Sequence, residues 1–186
     1  MKPLVRMKIT TSSQNINSYG GLNFISQEFE TLKIADILAK NIGSLKGLVT
    51  YQYEDVIKNI LMLCFAGGDC AEDIQTHLRS ELENTLSMKV CSADTLLRVQ
   101  KELATDTEIH ISKKGIENQI NTHDTFNKAN MAMSSHLNTF EPNVYYDLDF
   151  DNQVLPCEKY DAKKSYKMCH GYFPSVATIG KHIVYL

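Results

Sequence analysis

The hydrophobic pattern of the first part of the chain is helical. Between residues 21 and 43, apolar residues recur at spacings of three and four, which predicts a helix that ends at Gly43. Residues 54–66 are apolar on more than one face, which is typical of a central core helix, and two acidic residues stand at its start. A third helix is expected from Asp69, since Ile74, Leu78 and Leu82 follow at helical spacing.

Residues 92–103 predict a further capped helix. Ser92 is a good N-cap, and the face expected to be apolar carries Leu96, Val99 and Leu103. Arg98 and Lys101 lie on the outward face. Two interpretations stay open at this point: a helix-turn-helix element that contacts DNA, or an ordinary helix of a bundle.

The pattern changes near residue 142. Before it, we expect a loop over 105–117 around Lys113-Lys114-Gly115 and a helix over 117–138. After it, residues 144–151 alternate between apolar and polar side chains, which predicts a strand. Further strands are expected over 165–170, 175–179 and 182–186. The fold class is therefore α+β, with a mostly helical first region followed by an antiparallel meander.

Charge is unevenly distributed along the chain. The 186 residues carry a net charge of −3, so bulk charge gives no support to nucleic-acid binding. Residues 51–110 hold eleven acidic and five basic side chains, whereas residues 1–21 predict a flexible basic arm. In residues 144–186 the acids come first and the lysines follow.

Nothing in the sequence predicts a membrane segment or an export signal. A membrane helix needs about 20 apolar residues, and the uncharged run at 59–68 is shorter than that. The five cysteines are an odd number without a CxxC pair, which favours free thiols in a reducing cytoplasm over disulfides or zinc. We therefore expect a cytoplasmic protein with no membrane partner.

The strand over 144–151 places three carboxylates on one face: Asp147, Asp149 and Asp151. Carboxylates at this spacing repel each other unless they face solvent or bind a cation. One interpretation is a charged edge strand that resists aggregation. The other is a Mg²⁺ or Mn²⁺ site for phosphodiester chemistry, because hard oxygen ligands suit these ions.

Lysines follow the acidic strand closely. Lys163, Lys164 and Lys167 are candidates for contacts with a DNA backbone, and nearby tyrosines could stack or bond to it: Tyr160, Tyr166 and Tyr172. A solvated lysine hairpin is the alternative. Arg98 and Lys101 are the corresponding DNA-contact candidates in the helical region.

The chain resembles bacterial insertion-sequence transposases of the transposase DDE domain, group 1 family. The downstream segments that carry the resemblance are LDFDNQ at 148–153, EKYDAKKSYK at 158–167, GYFP at 171–174 and VATIG at 176–180. The upstream segments are GGL at 20–22, YED at 53–55, AGGD at 66–69 and SADTLLR at 92–98. The resemblance covers nearly all of the chain from about residue 20 onwards.

This resemblance implies a helical DNA-binding region over 22–142 and the start of an RNase H-like catalytic domain over 143–186. In that domain the first strand carries the first acid of an Asp-Asp-Glu triad. Asp151 is preferred for this role and for metal binding, because the family acid tends to end the strand before a short polar residue. Asp149 is the alternative, and Asp147 is taken as incidental.

Family members are more than twice as long, so the resemblance also implies a truncated chain, inactive alone and with an open apolar sheet face. The complete enzyme would bind terminal inverted repeats and target DNA, act as a homodimer in a synaptic complex, and lie at the bacterial nucleoid. A non-catalytic DNA-binding fragment that competes with or regulates transposition is the main alternative. A helical interaction module and an RNase H-like nuclease are further alternatives.

Overall fold

Helices form the first part of the chain and short antiparallel strands form the last part. The computed structural model describes residues 16–46, 50–104, 107–115, 117–121, 124–160, 162–165 and 167–185. The α+β prediction is confirmed at this level. Most of the basic arm predicted over residues 1–21 lies outside the described residues.

The first predicted helix is in fact two helices, α1 (Gly21–Thr31) and α2 (Ile34–Ile42). The break falls at Lys33, whose φ of 51° lies in the left-handed region. This turn lets α1 and α2 pack against each other, which one continuous helix could not do. Gly43 follows α2 with a φ of 89°, so the predicted stop is confirmed.

The second predicted helix is α3 (Tyr53–Phe65). A carboxylate oxygen of Asp55 accepts a hydrogen bond from the backbone N–H of Gln52 at 3.0 Å, and its charge stands at the positive end of the helix. Its buried side combines apolar and polar side chains: Val56, Lys58, Asn59, Met62 and Leu63. This helix is central, as its sequence pattern predicts.

The helix predicted from Asp69 is wrong as one continuous element. Two short helices take its place, α4 (Asp73–Thr76) and α5 (Arg79–Glu83). The helix predicted over 92–103 is confirmed as α6 (Ala93–Leu103), with the Ser92 hydroxyl accepting the Thr95 N–H at 3.2 Å.

Two apolar clusters hold the helices together. The larger one joins α1, α3, α4, α5 and α6, and its buried members include Leu22, Val56, Met62, Ile74, Leu78, Leu82, Leu96 and Val99. The smaller one consists of Phe29, Leu38 and Ala129, with partly buried apolar side chains around them. Burial of such side chains contributes about 1.5–3 kcal/mol each and is the main source of stability in this region.

The loop predicted over 105–117 is wrong, because a β-hairpin occupies this part of the chain. Strand β1 (Thr107–Ile111) pairs antiparallel with β2 (Glu117–Asn121). The predicted turn at Lys113-Lys114-Gly115 is correct and forms the tip of this hairpin. Gly115 has a φ of 75°, and its N–H bonds to the Ser112 carbonyl at 2.8 Å.

The helix predicted from residue 117 therefore begins later, as α7 (Thr125–His136). Helix α7 packs against α2 and also contacts the last strand of the chain. The Asn130 amide donates a hydrogen bond to the Ile183 carbonyl at 2.6 Å. Helix α7 thus connects the helical region to the strands that follow it.

The described residues after α7 form six strands: β3 (Asp149–Asn152), β4 (Leu155–Pro156), β5 (Lys163–Lys164), β6 (His170–Tyr172), β7 (Ser175–Ile179) and β8 (His182–Tyr185). They form two antiparallel three-stranded sheets, one in the order β3-β7-β8 and the other in the order β4-β6-β5. Along the chain, the three strands of the smaller sheet lie between β3 and β7, which pair with each other in the larger sheet. The prediction of antiparallel strands is confirmed, but a single meander is wrong.

Two of the predicted strands also have different bounds in the structure. Residues 144–148 are not part of a strand, because β7 pairs only with Asp149–Asn152. The strand predicted over 165–170 is replaced by a turn between β5 and β6. The strand over 175–179 has the predicted bounds, and β8 matches the last prediction except for residue 186, which lies outside the described residues.

Candidate functional site

The acidic strand β3 lies at one side of the larger sheet. Asp149 stands opposite Thr178, and Asp151 stands opposite Val176, so both aspartates share one face. The other face carries Phe150, which is 65% exposed, whereas its partner on β7, Ala177, is buried. The alternation predicted for these residues is therefore present within β3.

A groove of about 560 Å³ opens beside β3 and brings Asp149 close to residues from other elements. Its acidic lining comes from Asp147 and Asp149. Its remaining lining consists of Thr139, Phe140, Tyr146, Ile179, Gly180, Lys181 and His182. The two acids in this groove thus face a cationic lysine and a histidine.

Aromatic edge-to-face contacts shape one wall of this groove. The Phe140 ring lies 5.5 Å from the Tyr146 ring and 5.8 Å from the His182 ring, centroid to centroid, at steep interplanar angles. The Tyr146 hydroxyl also accepts the Glu141 N–H at 2.9 Å. These contacts fix the segment that carries Asp147, although that segment is not a strand.

Asp151 is placed differently from Asp149. It does not line the groove, and its Oδ1 atom accepts the backbone N–H of Asn152 at 2.8 Å. On the opposite face, the Asn152 side chain accepts a hydrogen bond from the Ser175 hydroxyl at 2.6 Å. The groove brings Asp149 together with Asp147, which the sequence analysis takes as incidental, and leaves Asp151 outside.

The carboxylates match the oxygen ligands that Mg²⁺ and Mn²⁺ prefer. Within the described ranges, however, no group of three or more histidine, cysteine, aspartate or glutamate side chains is arranged to hold a metal ion. Asp149 with Asp147 can supply part of a coordination shell, and further ligands would have to come from elsewhere.

The candidate lysines belong to the smaller sheet, not to the sheet that holds Asp149. Lys163 and Lys164 form β5 and are exposed. Lys167 is exposed in the turn after β5, where its N–H donates to the Ser165 hydroxyl at 3.0 Å. Among the candidate tyrosines, Tyr160 is fully exposed, Tyr172 is partly exposed, and Tyr166 lies outside the described residues.

Gly171 controls the packing of this smaller sheet. It pairs with Pro156 on β4 and with Lys163 on β5, so it is the central residue of the sheet. A Cβ atom at this position would collide with the carbonyl of Leu155. Glycine is therefore required for β4 and β6 to approach closely.

Arg98 and Lys101 are exposed on α6, as predicted. Arg98 lies 3.7 Å from Glu102, which also accepts the Tyr53 hydroxyl at 3.0 Å. Burial raises the pKa of Tyr53, and the hydrogen bond to Glu102 raises it further. The outer face of α6 therefore carries a partly neutralised arginine beside a lysine.

The connection before α6 does not have the short turn of a typical helix-turn-helix. Residues 84–92 separate α5 from α6, with turns over 84–87 followed by a segment without regular secondary structure. Within it, the backbone of residues 86–91 makes six hydrogen bonds with side chains of the helical region, namely Asn23, Ser26, Tyr51, Lys58 and Asn59. This arrangement fixes the start of α6.

Sequence reasoning does not identify this set of side chains. Asn59 is 1% exposed, and its amide donates to the Lys89 carbonyl at 2.8 Å and accepts the Cys91 N–H at 3.2 Å. A polar residue in the middle of an apolar helix is the only signal in the sequence. Its partners are some thirty residues away, so local pattern alone could not name them.

No family model, curated protein or solved structure matches this chain. Of the helices described, the longest has 13 residues, and none combines the length and apolarity needed to cross a bilayer.

Proposed function

We propose that this chain is the N-terminal part of a DDE transposase from a bacterial insertion sequence. It would bind the ends of the element and contribute the first carboxylate of a site for DNA cleavage and strand transfer. The observation that carries the proposal is the position of the acidic strand β3. It follows the helical region along the chain and is the first strand of an antiparallel sheet. That order is the one implied by the sequence resemblance.

The groove beside β3 supports Asp149 as the first acid more strongly than Asp151, which the family resemblance favours. Asp149 lines a cavity of about 560 Å³ that is large enough for a phosphodiester group and its neighbours, whereas Asp151 does not line it. A bound Mg²⁺ or Mn²⁺ would activate the attacking oxygen and stabilise the leaving oxygen. In this proposal the second Asp and the Glu of the triad come from sequence beyond residue 186.

The chain's own cations would position DNA for that chemistry. Lys163, Lys164 and Lys167 are exposed on the smaller sheet and its turn, and Lys181 lies in the groove with Asp149. Arg98 and Lys101 would contact phosphates from the helical region. Such contacts give affinity that depends strongly on salt and little on base sequence.

The proposed partners and location follow from this activity. The complete enzyme would hold terminal inverted repeats and target DNA in a synaptic complex, as a homodimer at the bacterial nucleoid. A non-catalytic DNA-binding fragment is the second candidate. It is favoured by the partial ligand set, since the exposed cations of α6 and β5 can bind DNA without Asp149.

Both candidate functions require DNA binding. A titration of labelled duplex DNA by fluorescence anisotropy at several salt concentrations tests this requirement. The chain should bind at low salt, and replacing Arg98 and Lys101 together with glutamine should lower the slope of log K against log salt by about 2. The matched control replaces Lys40 and Lys46, which are also exposed, and should leave the slope unchanged. Absence of binding at low salt would contradict both candidates.

A strand-transfer assay with Mg²⁺ separates the roles of the acids. The chain alone should show no activity, because the proposal assigns two of the three triad acids to sequence beyond residue 186. Mg²⁺-dependent strand transfer by residues 1–186 would refute that assignment.

A further inference from the structure

The hairpin β1–β2 presents two lysines at a turn with defined geometry. Five residue pairs hold the hairpin in register, from Thr107 with Asn121 to Ile111 with Glu117. At the tip, the Gly115 N–H closes the turn on the Ser112 carbonyl at 2.8 Å. Lys113 and Lys114 are exposed at this tip.

The turn between β5 and β6 presents another lysine in a similarly fixed turn. Ser165 is buried, its N–H bonds to the Cys169 carbonyl at 2.7 Å, and its carbonyl accepts the Met168 N–H at 3.1 Å. The Ser165 hydroxyl also accepts the Lys167 N–H at 3.0 Å. The turn therefore holds Lys167 outward next to β5, which carries Lys163 and Lys164.

A direct hydrogen bond joins these two lysine-bearing turns. The ammonium group of Lys163 donates to the Glu117 carbonyl at 2.6 Å, across 46 positions of sequence. Glu117 follows the hairpin tip directly, so its Cα lies within about 10 Å of chain from Lys114. Two lysine groups that are far apart in sequence thus become neighbours in space.

Some described cations lie close to a carboxylate and others do not, and Lys40 and Lys46 of the helical region have no described carboxylate within ion-pair distance. In the helical region, Lys58, Arg79, Lys89, Arg98 and Lys128 each lie close to a carboxylate. Across the portions of the chain that the structure describes, no carboxylate lies within ion-pair distance of Lys113, Lys114, Lys163 or Lys164. Of the hairpin's own acids, Glu108 lies on β1 away from the tip, and Glu117 begins β2 close to it.

We propose that the β1–β2 tip and the β5–β6 turn form one surface that binds the phosphate backbone of duplex DNA, with Lys113 and Lys114 as contacts added to those of β5. This inference rests on the proposed function and extends it to an element that the sequence pattern assigns to a loop. Fully exposed Tyr160, between β4 and β5, adds an aromatic ring suited to a sugar or base edge.

The lack of a described carboxylate beside Lys113 and Lys114 has a direct consequence for binding. Lysines without a neighbouring carboxylate lose no ion pair when they contact phosphate, and each contact releases about 0.9 counterion from B-DNA. Loss of two contacts should therefore lower the salt slope by about 1.8. By the same relation, loss of these two contacts should weaken DNA binding about 60-fold at 0.1 M monovalent salt and about 20-fold at 0.2 M.

The test compares three proteins in the duplex DNA titration: the unaltered chain, the variant with Lys113→Gln and Lys114→Gln, and the control with Lys40→Gln and Lys46→Gln. Both variants lose two positive charges from exposed positions, so they change net charge equally. Circular dichroism melting curves verify that all three are equally folded. The hairpin variant should show the reduced slope and affinity, and the control should match the unaltered chain.

Equal slopes for the hairpin variant and the unaltered chain would overturn the inference while leaving DNA binding by the rest of the chain intact. Failure of the unaltered chain to bind DNA at low salt would instead remove the proposed function and this inference with it. Vesicles with anionic phospholipids provide a second arm. Loss of vesicle binding in the hairpin variant, with unchanged DNA binding, would assign the surface to membranes and overturn the inference.

Discussion

Replacing Lys58 with methionine tests how the helical region holds the segment before α6. The Lys58 side chain is 6% exposed, and its ammonium group lies 2.7 Å from Glu30, 3.0 Å from the Ser87 carbonyl and 5.0 Å from the centre of the Phe29 ring. Methionine keeps most of the apolar stem and removes all three polar interactions.

The size of the effect follows from the exposure of each partner. A hydrogen bond from a charged group to the Ser87 carbonyl contributes about 1.5–3 kcal/mol, and the contact over the Phe29 ring contributes about 1 kcal/mol. Glu30 is 51% exposed, so its ion pair with Lys58 contributes no more than about 1 kcal/mol. Release of the ammonium group from its buried position offsets part of the loss, which leaves a net destabilisation of about 2–3 kcal/mol.

Urea unfolding followed by circular dichroism measures this free energy. The matched control is Lys89→Met, because Lys89 also pairs with a carboxylate, Asp55, at 3.0 Å but is 62% exposed. The control should cost less than about 1 kcal/mol. A double-mutant cycle with Glu30→Gln should give a coupling of about 1 kcal/mol or less. Equal costs for Lys58→Met and Lys89→Met, or a coupling that accounts for the whole effect, would refute the reasoning.

Three further predictions concern other fixed points of the fold. Asn59→Ala should destabilise the chain by about 2–4 kcal/mol and speed hydrogen exchange at the Cys91 amide, because the buried Cys91 N–H and the Lys89 carbonyl lose their partner; unchanged exchange would contradict this. The N–H groups of residues 69 and 70 lower the pKa of Asp73, so its contribution to stability is present above the unfolded pKa and is lost as pH falls through the folded pKa. Acid titrations of Asp73→Asn should lack that part of the pH dependence, and identical profiles would count against it. Gly171→Ala should cost about 1–3 kcal/mol, measured by thermal melting, since a methyl group there meets the Leu155 carbonyl; a neutral effect would show that the small sheet relaxes freely.

Elements with complete local signals are predicted well from the sequence. Helix α6 has an N-cap serine and a regular apolar face, and β7 has β-branched residues between turn residues, so both have nearly the predicted bounds. Gly43 ends α2 for the reason expected, a positive φ. In these cases the residues that determine the structure are close together in the sequence.

Elements that depend on distant partners are predicted poorly. The apolar spacing continues through Lys33, so only the packing of α2 on α1 and α7 reveals the break there. The hairpin tip is recognisable from Gly115, but the alternation over 107–111 is too short to predict a strand. Residues 144–148 alternate like a strand and yet have no pairing partner, because β7 is only five residues long.

The candidate site shows the same division between local and distant information. The acidic face of β3 and the lysines of β5 can be read from the sequence. The groove cannot, because Asp149 meets Lys181 and His182 only when β8 returns along β7. The contact between Lys163 and Glu117 spans 46 positions and has no sequence signal at all.

The central claim is that the groove beside β3 collects a divalent cation next to DNA. Broadening of backbone amide NMR signals by Mn²⁺, in the presence of duplex DNA, tests this claim most directly because it detects weak binding at a defined place. The account predicts selective broadening at residues 147–149 and 179–182, lost in Asp149→Asn and retained in Asp36→Asn, an exposed acid on α2. Broadening spread evenly over the chain, or unchanged in Asp149→Asn, would contradict it.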